Sequence, residues 1–316
     1  MRKVSMRILL LFVIILGLLC LSGCFAPLRS LKLPVVISGN NEQSSTEVAF
    51  DKPIEKLVLE EIHLAPGSLP VRVTFYKSSK GRAVLKADSN ILGDFKLIYS
   101  SGKLTVRSKQ RRLYSSELLS LDIYLPESEN LSMAVKTSAE LKSEGSLNAK
   151  SLSLELFGSV KGGLELETQS ADISIGGAGE ISLKGETDAL NVNISGAANL
   201  NAKELLANKV AITSAGSSNL QSTAKSSLKA EITGTGNLGF YGEVETLNIK
   251  ISGFGEVDAS ELKAKEAVLK IAGSGKADLD VSDKLYVEIS GSGIVNYLGS
   301  PSVTQVISGF GKVNRK

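Results

Sequence analysis

Few residues of this 316-residue chain are equipped for catalysis, and their spacing limits what they can do. His63 is the single histidine, so a Ser-His-Asp triad would have to be built on it, and no Gly-x-Ser-x-Gly elbow accompanies it. It reads as a surface histidine. Paired carboxylates are the remaining enzymatic route, since an acid and a base on one face can cleave a glycosidic bond. Asp258 and Asp278 hold equivalent positions in a repeated segment, but Asn201, Gln221 and Asn296 share that position. A mixed polar column of this kind reads as a solvated face. Two aromatics, Phe254 and Phe310, each follow a repeated glycine, and they are the candidate ligand-contacting residues, placed to grip sugar rings or to cover a neighbouring corner. No catalytic, cofactor-binding or metal-binding residue is assigned, and no cofactor is expected.

Gly273-Ser274-Gly275-Lys276-Ala277-Asp278-Leu279-Asp280 has the glycines and aspartates of a calcium-binding nonapeptide repeat, but that motif needs a nine-residue period and a shorter Gly-to-Asp gap. The Gly-x-Gly pairs are not a dinucleotide fingerprint, because no third glycine opens a helix after them. Histidine-rich zinc sites are excluded by count.

The two cysteines belong to a processing segment. Arg2, Lys3 and Arg7 form a basic n-region, Ile8 to Leu19 an apolar stretch, and Leu21-Ser22-Gly23-Cys24 closes it with small residues before a cysteine. This ending resembles the lipobox of bacterial lipoproteins, which implies cleavage after Gly23 and acylation of Cys24. The apolar run from Ile8 to Leu21 is short of the roughly 20 residues that span a bilayer. Cys20 leaves with the signal, so the mature chain has no thiol for a disulfide. The three basic residues of the n-region also account for the whole net charge of +3, since none of the acidic residues lies before Cys24. A neutral mature chain gives no sign of a nucleic-acid partner.

The elements that position the polar column and the two phenylalanines come from a repeat. It reads Ile194 to Leu200 (ISGAANL), Ile232 to Leu238 (ITGTGNL) and Ile251 to Val257 (ISGFGEV), with further copies from Ile271, Ile289 and Ile307 and looser ones around Gly158, Gly177 and Gly216. The anchor glycines are 158, 177, 196, 216, 234, 253, 273, 291 and 309, spaced 18 to 20 residues apart. Such a period means a stacked array. Upstream of each anchor the residues alternate as in a strand. Leu152/Leu154/Leu156, Leu190/Val192/Ile194, Leu247/Ile249/Ile251 and Leu285/Val287/Ile289 point inward, while Asn191, Lys250 and Glu288 face water. A second inward column follows four residues past the anchor, from Ile181 through Leu238 to Val313. The glycines at the anchor and two positions later, as in Gly234/Gly236 and Gly291/Gly293, suit a sharp corner at positive φ where no Cβ fits.

A rung of about 19 residues cannot cover its own apolar face, whereas rungs stacked at roughly 4.8 Å pair every backbone group with the neighbours above and below. The expected fold is therefore all-β, a parallel β-helix (β-solenoid). Scarce aromatics and 30 glycines suit its thin core. Its expected organisation is a lipoprotein signal peptide over 1–23, a lipidated tether over 24–47 and a single β-helix domain over 48–316. Within that domain, 48–130 reads as irregular N-terminal rungs that cap the stack and 131–316 as regular repeats. Ser100-Ser101-Gly102 reads as a hairpin turn. Ala202 to Asn208 and Ser260 to Ala267 have helical composition but fall within the period, as the return side of a rung.

The Ile-Ser-Gly-Ser-Gly type repeats, the segment Ala87 to Leu97 followed by Ser101 to Val106, and the ending Gly299 to Val313 resemble the family called putative auto-transporter adhesin, head GIN domain. The likeness runs from about Val48 to Val313. It implies a β-helical fold on secreted or lipid-anchored bacterial proteins. The chain departs from the pattern at Thr213 to Gly216 and at Phe157 to Val160, where the second glycine is missing. Taken together, the expectation is a lipid-anchored bacterial envelope protein, most readily of the outer membrane. It would contact the membrane through Cys24 and present an extended face for adhesion or for binding a glycan or protein on the cell surface. The alternative is a β-helical carbohydrate-active enzyme using surface carboxylates.

Overall fold

The computed structural model describes residues 35–316, and Val36–Lys316 form one compact unit. The signal segment 1–23, Cys24 and the first part of the tether lie outside the described residues. Nine strands precede the regular stack: β1 (Val36–Ser38), β2 (Gln43–Phe50), β3 (Lys56–Leu59), β4 (Val71–Lys77), β5 (Gly81–Asp88), β6 (Phe95–Ser100), β7 (Lys103–Ser108), β8 (Leu113–Ser115) and β9 (Ser120–Leu125). The stack itself is β10 (Ser128–Val135), β11 (Ala139–Leu156), β12 (Ser159–Ile175), β13 (Ala178–Ile194), β14 (Ala197–Ser214), β15 (Ser217–Ile232), β16 (Thr235–Ile251), β17 (Phe254–Ile271), β18 (Lys276–Ile289), β19 (Ile294–Leu298), β20 (Ser302–Ile307) and β21 (Lys312–Arg315). From β10 onward every pairing is parallel. Each long strand is a rung that bends at its corners. Both segments of helical composition are strand, within β14 and β17.

Register follows the alternation. Ile173, Val192, Ile212, Ala230, Ile249, Leu269 and Val287 stack in one buried column. The column four residues past the anchors, from Ile181 to Val295, is buried as well, and Val313 packs partly against it. Burying a residue of this size contributes about 1.5–3 kcal/mol, so the shared columns fix the stack.

The corners are glycine for a different reason than positive φ. Gly234 and Gly291 are absent from the left-handed region, and of the anchors only Gly309 lies in it. Instead, a Cβ on Gly177, Gly196, Gly216, Gly234, Gly253, Gly273 or Gly291 would strike the carbonyl oxygen of the anchor glycine one rung earlier. Backbone passes over backbone there, and no side chain fits. Positive φ is found at Gly162, Gly185, Gly242 and Gly299, away from the anchors.

The second glycine of a corner lies against an isoleucine two residues before an anchor, that of the preceding rung for Gly293 against Ile271 and Gly275 against Ile251, and that of its own rung for Gly179 against Ile175. Where that isoleucine is replaced by Ser214, the second glycine is replaced by Ser218, and their hydroxyls hydrogen-bond at 2.8 Å. Both are buried. The departure from the pattern is thus a compensated pair.

The N-terminal region does cap the stack, but its rungs are not in chain order. β3 lies between β7 and β10, and β4 between β9 and β11, all parallel. The outermost rung, made by β7 and β9, therefore comes later in the chain than the rung it covers. Among the other pairings, β5 with β9, β5 with β2 and β6 with β7 are antiparallel, while β1 and β8 are parallel. Ser101 at φ 48° and Gly102 at φ 75° make the two-residue turn between β6 and β7, matching the right-handed strand twist. The expected tether boundary at 47 is too late. β1 pairs with β8 and β2 with β5, because an edge strand with polar residues on both faces, as in Gln43 to Glu47, has the composition of a linker.

Candidate functional site

A long concave surface follows from the corner geometry. Past each anchor glycine the first residue points out, the second lies against the core and the third points out again. Across six rungs the first position is small, Ser138, Ser159, Ala178, Ala197, Ser217 and Thr235, and in all but the Val160 rung so is the second, Ala139, Gly179, Ala198, Ser218 and Gly236 beneath. The surface recedes there into a groove of about 700 Å³ running along the stack from Pro70 to Asn237. Lys161, Glu180, Asn199, Asn219 and Asn237, at the third position, form one rim. Six rungs at about 4.8 Å give it a length of roughly 24 Å.

Phe254 is the next residue in the outer column, in register with Thr235, and it closes this end of the groove at 71% exposure. Phe310 shares the column three rungs further on, with Ser274 and Ser292 between, and is 88% exposed. The two rings are therefore about 14 Å apart along the stack and do not act on one point. Neither covers a corner, since rings so exposed cover little.

Asp258 and Asp278 are in register, but each is committed to other partners. Asp258 accepts hydrogen bonds from the Ser260 amide at 3.1 Å and hydroxyl at 2.6 Å. Asp278 accepts from Asn296 at 2.9 Å and Lys316 at 2.6 Å, with Lys276 at 3.3 Å. Burial pushes the Asp278 carboxyl up, but the bonds from Lys316, Asn296 and Lys276 outweigh it and hold it below the usual range. Glu165, Glu231 and Glu288, each bonded to a lysine, are also displaced downward. A glycosidase acid needs the opposite displacement. The column continues as a ladder, with Asn314 donating to Asn296 at 3.1 Å, and a separate column upstream of the anchors has the same kind of bond, Asn191 donating to Asp172 at 2.8 Å.

His63 lies beside Glu61 at 3.5 Å in the cap. Among the described residues no three His, Cys, Asp or Glu side chains converge as a metal site requires. Sequence reasoning did not reach one further aromatic group: Tyr76 and Tyr124 stack at 4.8 Å, and the Arg82 guanidinium lies 4.1 Å from the Tyr124 ring centre. These are cross-strand neighbours on β4, β9 and β5. Because they cover one another, they form a stabilising ladder. The signal, tyrosine at alternating outward positions, becomes readable only once the non-sequential pairing is known.

A family model described as "Putative auto-transporter adhesin, head GIN domain" matches residues 66–243 and 240–301. No curated protein matches the chain. Among solved structures, the chain is similar to a putative adhesin from Parabacteroides distasonis, with 14% identity, 89% of this chain and 100% of that one covered, and a TM-score of 0.48. A putative adhesin from Parabacteroides merdae has 17% identity, coverage of 89% and 99%, and a TM-score of 0.43. A putative lipid binding protein from Parabacteroides distasonis has 17% identity, coverage of 89% and 100%, and a TM-score of 0.44.

Proposed function

Since the chain belongs to the family described as putative auto-transporter adhesin, head GIN domain, we propose that it is a lipid-anchored protein of the bacterial envelope that uses its β-helical surface for adhesion. Cys24 carries the lipid, and the residues between it and Val36 join it to the stack. The observation that carries the adhesive reading is the groove of about 700 Å³ along six rungs, ended by the exposed ring of Phe254. A long shallow trough with a polar rim and an aromatic stop suits an extended ligand, a glycan or a protein segment of a cell surface. The carbohydrate-active alternative is disfavoured by the partners of Asp258 and Asp278 described above.

Two measurements test this reading. Metabolic labelling with a palmitate analogue marks the protein and fails for Cys24→Ser; label retained in that variant overturns the anchor. On a glycan array and on immobilised cell-surface protein, Phe254→Ala loses about tenfold in retention, as expected for removing about 1.4 kcal/mol of ring contact, while Phe157→Ala binds as the parent does. Equal loss in both, or in neither, removes the groove from the account.

A further inference from the structure

The corner of the last rung differs from every other corner. Val306, Ile307 and Phe310 are 51%, 39% and 88% exposed, and Ile294, in register with Lys312 one rung earlier, is 41% exposed. Val306 lies on one face, Phe310 on the corner and Ile294 on the next face, so they form one apolar wrap. At the position of Val306 the earlier rungs carry Glu288, Lys270 and Lys250, and at that of Ile294 they carry Lys276 and Glu256.

The charge that the last rung itself carries has one sign. From Ile289 to Lys316 there are three cations, Lys312, Arg315 and Lys316, and no acidic residue. Lys316 is bonded to Asp278. Arg315 is held only by the Ser300 hydroxyl, at 2.6 Å, and Lys312 has no ion pair among the described residues. Glu288, the acid in register with Val306, is paired with Lys270 at 2.8 Å.

We propose that this corner is a second membrane contact, docking on an anionic lipid surface with Phe310 at the headgroup level and Lys312 and Arg315 against lipid phosphates. Exposed aromatic and aliphatic side chains beside unpaired cations match such a surface in both its terms. Contact is shallow, because among the described residues β20 and β21 are paired on one side only and unpaired backbone groups do not enter hydrocarbon. A second copy of the chain is a poorer occupant. Its own Lys312 and Arg315 would meet these with like charge. The inference is independent of the lipid on Cys24.

The chain contains no tryptophan, so Phe310→Trp supplies a single reporter at an exposed position. The full-length variant is reconstituted in vesicles of phosphatidylcholine and of phosphatidylcholine with phosphatidylglycerol, and brominated lipids of each composition are placed in the host vesicle or in a second population. The expected result is a blue-shifted emission quenched by brominated chains when phosphatidylglycerol is present. Adding Lys312→Gln and Arg315→Gln lowers the contact equilibrium constant roughly thirtyfold, about fivefold for each cation. Absence of quenching in both arrangements overturns the proposal, as does quenching that ignores phosphatidylglycerol. A shift that follows protein density instead of lipid composition also overturns it, in favour of self-association.

Discussion

A glycine column announces a constraint without naming it. The repeat makes the anchors visible, yet positive φ and the absence of room for a Cβ demand the same residue, and only coordinates separate them. Here the carbonyl of Gly216 lies where a Cβ of Gly234 would be, so even alanine is excluded at an ordinary backbone conformation. Gly239, five residues further along the same rung, is different: the nearest neighbour to an added Cβ is the Tyr241 hydroxyl at 3.4 Å, an ordinary contact. Gly234→Ala is therefore expected to cost about 1–3 kcal/mol through displaced backbone, and Gly239→Ala less than about 0.5 kcal/mol. Chemical denaturation of the two variants checks this; similar midpoints would contradict the carbonyl column. The Ser214–Ser218 pair was readable as an exception but not as a compensation, because the two residues meet across a corner.

At the scale of the rung, alternation alone carried the register. A one-residue slip would bury Asn191, Lys250 and Glu288, and unpaired polar groups of that kind cost several kcal/mol. Val287 stacks between Leu269 and Gln305 and is fully buried, while Glu288 points out. Val287→Asp is expected to strip hydrogen-exchange protection from its own rung and from those around Gly273 and Gly309, whereas Glu288→Ser changes exchange by less than about tenfold. Unchanged protection in the Val287 variant would be incompatible with shared stacking. The cap was legible as irregular strands and as one hairpin, Phe95–Ser100 with Lys103–Ser108. Its order was not legible. Placing β3 between β7 and β10 depends on contacts between segments far apart in the chain, and local pattern is silent about which distant edge a strand will choose. β2 was missed for a related reason, since an exposed edge strand buries too little to show a periodic signature.

Across the whole molecule, the two phenylalanines were singled out by their shared column, but their surroundings divide them. Phe254 ends a groove made by the smallness of the residues before it, and Phe310 belongs to an apolar corner ringed by cations. A groove is a property of several rungs together, so no single repeat contains it. From Gly158 to Gly309 the eight steps span about 38 Å.

The rungs also decide how such a molecule behaves under load. In a parallel stack the backbone hydrogen bonds run along the axis, so a pull between Val36 and Lys316 opens one rung's bonds before straining the next. Each opened rung releases about 19 residues, or roughly 60 Å of chain. Single-molecule stretching should accordingly show a ladder of rips near that increment at modest force, with Gly234→Ala lowering the rip of its own rung; one cooperative rip of the full length would contradict it. A cell held by this protein would be held by a line that pays out under a gust and rewinds in calm, with slack stored in the same corners that admit only glycine.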